Sequence, residues 1–409
     1  MKKLLLLAIF LFAGLLLQAQ KSSTPYVILI SFDGFRHDYV EKYNPPTFKS
    51  LYKTGTHAQA IVPSFPSKTL PNHYTLVTGL YPGHHGLVDN TFYDKTRDVM
   101  YARLDSTKVT DPYFYGGTPL WELARQQGMK SASYFWAGSE MSALPRQPTY
   151  FFKFDDTVSG ASRIDQALAW LNLPEAERPH IITLYFSFPD HESHDMGPEA
   201  PETVQAVLRA DSLLNKLLTG LKQIDLPVNV IVVSDHGMKE LTVAPETYII
   251  LDDLIDINNH AVKFANGGTQ AHLYIADASK RDSVYTYLKS NEKKFKVYRK
   301  EELPERWNYK NDRVGDLLIV AVPGYYISTT NSVLTSAKMG SKFGVHGYDP
   351  MIVNDMHGIF FAVGPNIRKG LEIKAFQNIH VYPLVTRILG LTPPVIDGKF
   401  DVLQQVYRK

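Results

Sequence analysis

Four short apolar runs stand out along the chain, separated by stretches in which polar residues dominate. Each run is continuous and rich in β-branched or aromatic side chains, which is typical of strands buried on both faces of a parallel sheet. We therefore predict that these runs form a central sheet. They are residues 26–32 (YVILISF), 181–188 (IITLYFSF), 228–234 (VNVIVVS) and 359–363 (IFFAV).

Between the runs lie segments whose apolar residues recur at intervals of three and four, a spacing that predicts amphipathic helices. The clearest are residues 119–127, 164–171 and 202–221, the last ending near Gly220 and followed by Pro227. Strands that alternate with helices indicate an α/β fold, with a doubly wound, mostly parallel sheet flanked by helices.

The alternation weakens from about Glu240 to Met339, and charged residues become frequent between Lys280 and Arg306. We expect this stretch to form a smaller α+β insertion rather than a linker. Residues 21–409 would then be one catalytic domain that contains the insertion, since large α/β enzymes often remain one body.

The amino-acid composition limits the ligands and partners that the protein can bind. The 409 residues include 43 Lys and Arg against 41 Asp and Glu, a net charge of +2 that gives no reason to expect binding to nucleic acid or to an anionic membrane. Because the chain has no cysteine, disulfides, thiolate zinc sites and cysteine nucleophiles are excluded. A transition metal must therefore be held by carboxylates and by some of the 14 histidines.

The N-terminus has the pattern of a secretory signal. Lys2 and Lys3 precede an apolar run, residues 4–17, and the small residue Ala19 follows where a signal peptidase could cut. This run is shorter than the roughly 20 residues that span a bilayer. We therefore expect residues 1–20 to be a signal peptide and the mature protein to be exported, periplasmic or secreted, without a membrane anchor.

Metal-ligand side chains lie next to the predicted strands, and ligands of open α/β sheets collect beyond the carboxyl ends of the strands. One such Asp or His would be explained as a helix cap or a turn residue. Several together are costly to bury unless cations neutralise them. Carboxylate and imidazole ligands fit two neighbouring zinc ions, the usual clamp for displacement at phosphorus. The residues are Asp33, Asp190, His194, Asp235, His236 and His346.

A nucleophile is predicted in residues 63–86. Pro71 favours the first turn of a helix that would continue to Leu80, which places Thr69 at the helix cap. Backbone N–H groups and the helix dipole favour an anion there. The alternative is that Thr69 only caps the helix.

These residues lie in sequence blocks that resemble the nucleotide pyrophosphatase/phosphodiesterase family of the alkaline phosphatase superfamily, as in an exported bacterial member. The blocks follow one another in the family's order over most of the mature chain. They are DGFR, FPSKTLPNHYTLVTGLYPGHHG, LVDNTFYD, FWAGSE, PDHESHDMGP, SDHGM and HGYDP. The resemblance implies two Zn²⁺ sites, one formed by Asp33, Asp235, His236 and the Thr69 oxygen and the other by Asp190, His194 and His346.

The resemblance also implies a mechanism. Thr69, activated by zinc, would attack phosphorus in line, and water would then hydrolyse the phosphothreonine intermediate. Asn90 and the backbone N–H of Leu70 would bind a non-bridging phosphate oxygen, where charge develops during the reaction.

The substrate is expected to be a phosphodiester or a nucleotide pyrophosphate. Threonine-dependent phosphomonoesterases of the superfamily tend to carry a Lys-x-Arg pair over the extra phosphate oxygen, whereas residues 136–139 (WAGS) contain no cation. Trp136 is a candidate wall for a nucleobase, with Tyr150 and Phe154 on the opposite face. Each of these aromatic residues has core packing as its alternative.

Several alternatives remain open from the sequence. Leu70 stands where nucleotide-cleaving members often have an aromatic residue that stacks on the base, so base preference is undecided and lipid- or choline-derived diesters are alternative substrates. A zinc phosphomonoesterase is a second enzymatic alternative. A catalytically inactive binding protein is disfavoured because neither the nucleophile nor any ligand is missing. The sequence does not indicate an oligomeric state.

Overall fold

The computed structural model describes residues 24–256, 262–336 and 339–409. The predicted signal peptide, residues 1–20, lies outside the described residues. Within the described part of the chain, no helix combines the length and the apolar character that crossing a membrane requires.

The strands share one numbering along the chain. They are β1 (Tyr26–Phe32), β2 (Thr56–Ala58), β3 (Ile61–Val62), β4 (Thr91–Asp94), β5 (Val99–Ala102), β6 (Ser131–Tyr134), β7 (Tyr150–Phe152), β8 (Ile181–Phe186), β9 (Val228–Val233), β10 (Lys239–Thr242), β11 (Tyr248–Ile250), β12 (Val262–Asn266), β13 (Gln270–Ile275), β14 (Phe295–Arg299), β15 (Leu317–Ala321), β16 (Tyr326–Ser328), β17 (Lys342–Val345), β18 (Phe360–Val363), β19 (Leu371–Ile373) and β20 (Phe376–Gln377).

The α-helices are numbered in the same way. They are α1 (Tyr39–Tyr43), α2 (Pro46–Thr54), α3 (Thr69–Thr78), α4 (Pro82–His85), α5 (Ser106–Val109), α6 (Leu120–Gln126), α7 (Gly160–Leu171), α8 (Asp190–Met196), α9 (Pro201–Leu221), α10 (Arg281–Ser290), α11 (Thr330–Ser336) and α12 (Val381–Leu389).

An eight-stranded sheet with the order β19-β2-β18-β9-β1-β8-β6-β7 forms the centre of the fold. Strands β9, β1, β8, β6 and β7 are parallel to one another. The predicted α/β fold with a mostly parallel sheet is therefore confirmed. The apolar runs at 26–32, 181–188 and 228–234 form β1, β8 and β9, the central parallel strands.

The last apolar run pairs differently from the prediction. Strand β18 runs antiparallel to both β9 and β2, and Phe360 at its start lies opposite Val233 at the end of β9. The expectation of a parallel strand there was wrong, because an apolar run reports burial on both faces and carries no information on strand direction. As a result, the chain enters β18 from the edge at which the parallel strands end.

Both faces of the sheet are covered, as the continuous apolar runs require. On one face Val27 and Leu29 of β1 belong to a buried cluster with Leu384 and Val385 of α12. On the other face Ile28 and Ile30 belong to a cluster that includes Leu214 of α9. The predicted helices are observed as α6, α7 and α9, with bounds that differ by a few residues at most.

Residues 239–345, called the insertion below, contain a separate four-stranded antiparallel sheet with the order β12-β13-β15-β14. Helix α10 packs against β14. Leu273, Val297 and Ile319 are fully buried in a core of the insertion's own. The insertion begins and ends with the antiparallel pair β10–β17, so its two ends return to the same place in the fold.

Candidate active site

The predicted metal ligands converge at the edge where the parallel strands end. Asp33 follows β1, Asp235 and His236 follow β9, and Asp190 begins α8 just after β8. His346 follows β17, at the end of the insertion. Strand termini that are far apart in the sequence therefore bring the carboxylates and imidazoles to one place.

One group of ligand atoms comes from Asp33, Asp235 and His236, and these atoms all lie within 4.8 Å of one another. Nε2 of His236 is 3.4 Å from Oδ1 of Asp33 and 3.1 Å from Oδ2 of Asp235. The Thr69 hydroxyl oxygen lies 3.3 Å from the same Nε2. The structure thus brings together all four residues that were predicted to share one ion.

The second group lies beside the first. Oδ1 of Asp190 is 3.5 Å from Nε2 of His194 and 3.7 Å from Nε2 of His346. The ring of His236 stacks on that of His346 with 3.6 Å between centroids, so His236 also lies within 4.8 Å of the Asp190 and His346 ligand atoms. The two groups are therefore contiguous.

The three histidines share one orientation. In each, Nδ1 lies within hydrogen-bond distance of a backbone carbonyl, which only a ring N–H can satisfy. Nε2 of each ring faces the carboxylates, the arrangement of a ligating imidazole. The carbonyl partners are Gly344 for His194 (2.7 Å), Gly237 for His236 (2.8 Å) and Ser67 for His346 (2.8 Å).

Burial disfavours the charged forms of the acids and imidazoles in this cluster. It raises the pKa of Asp33 and Asp235 well above the usual carboxyl range, and the charge of Asp190 raises both further. Burial also holds the pKa of His236 and His346 well below the usual imidazole range. The aspartates therefore lie together beside two imidazoles whose charged form is disfavoured, an arrangement that bound cations would balance.

Three carboxylate oxygens in the cluster are buried without a hydrogen-bond partner: Oδ1 of Asp33, Oδ1 of Asp190 and Oδ2 of Asp235. The remaining oxygen of Asp33 accepts from the Tyr185 hydroxyl at 2.7 Å, and that of Asp235 accepts from the Gly34 N–H at 3.3 Å. In both Asp33 and Asp235, one carboxylate oxygen is thus oriented by a hydrogen bond from the protein, and the other has no hydrogen-bond partner. These residues fit divalent cations.

Thr69 is the first residue of α3, and the preceding Lys68, with extended backbone, takes the cap position. The predicted cap position of Thr69 was therefore wrong by one residue. The helix ends at Thr78 and not at Leu80, because Gly79 adopts a left-handed conformation with φ of 68°. Thr69 still lies in the first turn, where N–H groups without helical partners favour an anion.

The two predicted phosphate donors are bonded to each other. The Leu70 N–H donates to Oδ1 of Asn90 at 2.9 Å. The Leu70 N–H is therefore already engaged, and it orients the Asn90 amide instead of acting as a second free donor. The Nδ2 group of Asn90, which has no partner among the described residues, is the donor left for a ligand.

A cavity of about 320 Å³ opens beside Thr69, large enough for a small ligand. Leu70, Trp136 and Phe154 line it, and Phe154 is 52% exposed. Trp136 is buried, and its indole N–H donates to the His73 carbonyl at 2.9 Å. Trp136 therefore serves both as core and as a wall of the cavity.

Tyr150 does not line this cavity. Its hydroxyl donates to the Glu177 carbonyl at 3.0 Å, and its ring stacks near Trp170. Its predicted place in the pocket was wrong, because Tyr150 lies on the edge strand β7 and packs with Trp170, away from the residues that line the cavity.

Sequence reasoning missed several residues that line the cavity. Glu140 belongs to the FWAGSE block, and its Oε1 accepts from the Phe154 N–H at 2.8 Å. Arg103 and Leu104 reach the cavity from the loop after β5. Membership of a family block was an available signal for Glu140, whereas nothing in the local sequence distinguishes Arg103.

An α/β fold that gathers three aspartates and three histidines around a threonine at a helix N-terminus is typical of the alkaline phosphatase superfamily. Residues 27–349 match the family model of type I phosphodiesterase / nucleotide pyrophosphatase. The chain therefore belongs to that family, and the resemblance of its sequence blocks is confirmed.

Individual relatives support the same family assignment. The chain is 34% identical over 399 residues to human ectonucleotide pyrophosphatase/phosphodiesterase family member 1, covering 94% of this chain and 42% of the relative. It is 35% identical over 390 residues to a venom phosphodiesterase of Crotalus durissus collilineatus, covering 93% of this chain and 46% of the relative. The chain thus spans less than half of the length of these two curated relatives.

A shorter relative is covered more fully. The chain is 36% identical over 376 residues to the bis(5'-adenosyl)-triphosphatase of Xenopus laevis, covering 91% of this chain and 79% of the relative. Among solved structures, an inactive variant of murine ectonucleotide pyrophosphatase/phosphodiesterase 5 in complex with AMP superposes with a TM-score of 0.86 at 33% identity. That match covers 94% of this chain and 100% of the murine chain.

Proposed function

We propose that the protein is a two-zinc hydrolase that cleaves phosphodiester or phosphoanhydride bonds of nucleotides or related small molecules, with Thr69 as nucleophile. The observation that carries this proposal is the position of Thr69, with its hydroxyl beside the ligand cluster and its helix end open to a cavity with apolar walls. Neither a structural cap nor a purely structural metal site requires that combination.

The residues that would hold the ions are the aspartates with unpartnered buried oxygens and the histidines whose Nε2 atoms face them. When bound, the ions would supply the positive charge that lowers the pKa of the Thr69 hydroxyl and stabilises the leaving oxygen. We assign Asp33, Asp235, His236 and Thr69 to one ion and Asp190, His194 and His346 to the other.

The chain's own groups then have separate roles. The Thr69 oxygen attacks phosphorus and displaces the leaving oxygen, so that a phosphothreonine forms and the first product departs. Water then attacks phosphorus, breaks its bond to Thr69 and releases the phosphate product. The first turn of α3 attracts the anionic phosphate. The Asn90 Nδ2 group donates to a non-bridging oxygen as its charge increases in the transition state.

The cavity supports a diester or nucleotide substrate. Trp136, Ala137 and Gly138 line it without contributing a cation, so the extra charge of a monoester has no partner on that side. Leu70 and Phe154, also in the lining, offer an aliphatic and an aromatic surface between which a flat nucleobase can lie. The AMP complex of the murine relative supports the same substrate class.

The test compares the para-nitrophenyl ester of thymidine monophosphate with para-nitrophenyl phosphate on zinc-loaded protein. We expect the diester to be hydrolysed with a kcat/KM at least about 100-fold higher, because Trp136, Ala137 and Gly138 offer no cation to the second negative charge of a monoester and Arg103, which also lines the cavity, is exposed to solvent. Faster hydrolysis of the monoester would contradict the assignment. Nucleotide pyrophosphates and choline-derived diesters, assayed in parallel, would define the leaving group.

Asn90→Ala should lower kcat for the diester by roughly 10²- to 10³-fold, the usual effect of removing one preorganised donor to a developing oxyanion. Asn172→Ala is the matched control. Asn172 is exposed at the end of α7, and its side chain bonds only the Leu168 carbonyl among the described residues. Equal rates for the two variants would show that Asn90 does not act on the phosphate.

A further inference from the structure

A buried polar network connects the insertion to Asn90. Asp89, the preceding residue, is fully buried, and its Oδ2 accepts from Nε2 of Gln270 at 2.6 Å and from Nε2 of His272 at 3.0 Å. Both donors lie on β13 in the insertion. The other Asp89 oxygen, Oδ1, accepts from the Asn90 N–H at 2.6 Å. Asp89 therefore joins two segments that lie about 180 residues apart.

Each ring nitrogen of His272 faces an oxygen acceptor. Nε2 faces Asp89, and Nδ1 lies 2.8 Å from the Val314 carbonyl. With both ring nitrogens engaged, His272 links Asp89 directly to the backbone of the insertion.

The electrostatics of Asp89 agree with this geometry. Burial by itself would raise the pKa of the Asp89 carboxyl, but the hydrogen bond and charge of His272, with the charge of Lys68 and the Gln270 amide, hold that pKa below its usual value. Asp89 is therefore a charged anchor held from the side of the insertion.

The remaining bonds of Asn90 restrict it further. Its carbonyl accepts from the Arg103 N–H at 2.9 Å, and its Oδ1 accepts from the Leu70 N–H at 2.9 Å. With the backbone N–H, the carbonyl and Oδ1 all engaged, Nδ2 is presented in one direction. Only the bond to Asp89 depends on the insertion.

We propose that His272, together with Gln270, is a positioning residue for the hydrolytic reaction: through Asp89 it holds Asn90 so that Nδ2 meets the phosphate oxygen in the transition state. This inference rests on the proposed function. It assigns β13 of the insertion a part in catalysis, acting through Asn90 without contact with substrate. A network that served folding alone would have no such link to the rate.

A double-mutant cycle tests the link, with kcat and KM for the diester measured in wild type, His272→Phe, Asn90→Ala and the double variant. We expect His272→Phe to lower kcat roughly tenfold with little change in KM, because the donor is displaced and not removed. In the Asn90→Ala background the same change should have almost no effect, since the group it positions is absent. His272→Gln, whose amide can still donate to Asp89, should recover most of the rate.

Leu288→Ala is the control for loss of stability in the insertion. Leu288 is fully buried on α10 and belongs to the insertion's own core. We expect this variant to lower the melting temperature and leave kcat at 25 °C unchanged. If Leu288→Ala slows the reaction as much as His272→Phe does, the positioning role is overturned. The role is also overturned if His272→Phe lowers kcat equally in the wild-type and Asn90→Ala backgrounds.

Two further outcomes separate this inference from the proposed function. If wild type hydrolyses the diester and Asn90→Ala is slow, but His272→Phe matches wild type, only the positioning role fails. If wild type does not hydrolyse the diester, the proposed function fails and the inference with it. Should His272→Phe not fold, Asp89→Asn takes its place in the cycle with the same expectation, because it removes the charge while nearly keeping the shape.

Discussion

Thr69→Ala is expected to abolish phosphodiester hydrolysis, with a loss of at least about 10⁴-fold in kcat, comparable to the loss of other covalent nucleophiles. The Thr69 oxygen is 3.3 Å from Nε2 of His236, in the first turn of α3. Removing it deletes the proposed attacking atom and leaves all six candidate Asp and His ligands in place. The variant should therefore still bind zinc, which metal analysis of the purified protein would measure.

Thr69→Ser is the conservative control, since it keeps a hydroxyl at the same position and should retain part of the activity. Two results would contradict the role of Thr69. One is a Thr69→Ala rate within tenfold of wild type. The other is loss of both metal and activity in that variant, which would make Thr69 a structural ligand only.

Removal of metal is expected to have the second large effect. Dialysis against a chelator should eliminate hydrolysis, and added Zn²⁺ should restore it, because three buried carboxylate oxygens have no other partner. The melting temperature should fall as well. An ion at 100 times its Kd stabilises the folded state by about 2.7 kcal/mol, and the apo protein loses that contribution.

A matched pair of variants locates this effect in the cluster. Asp235→Asn should reduce the rise in melting temperature on adding Zn²⁺, since Oδ2 of Asp235 lies 3.1 Å from Nε2 of His236 in the first ligand group. Asp225→Asn, at an exposed position, should leave that rise unchanged. Full activity in protein shown to be free of metal would contradict the two-zinc proposal.

The central strands could be predicted because burial on both faces requires a continuous run of apolar residues, which is visible in the local sequence. Residues 26–32 are all buried in β1, and Ser31 is the single polar residue among them. The direction of β18 has no such signal in the local sequence, since the same apolar run suits a parallel or an antiparallel neighbour. Direction is decided by where the chain returns to the sheet after the insertion.

The convergence of the candidate ligands was also predictable. Asp33 and Asp235 directly follow apolar runs, and the edge of the sheet at which parallel strands end is known in advance. The residues that form the cavity walls were harder to predict. Phe154 reaches the cavity and Tyr150 packs with Trp170, although only four positions separate them. Local spacing does not specify where a loop runs after an edge strand.

The amino-acid sequence by itself determined the central strands and the longer helices of the α/β core, the family, and a supply of metal ligands limited to oxygen and nitrogen by the lack of cysteine. These properties depend on side-chain chemistry and on periodicity within short segments. Only the tertiary structure decided that Leu70 orients Asn90 and that Asp89 meets His272 from the insertion. Such contacts form when separate segments pack together, so their geometry is set by the whole fold and not by the residues beside them in the chain.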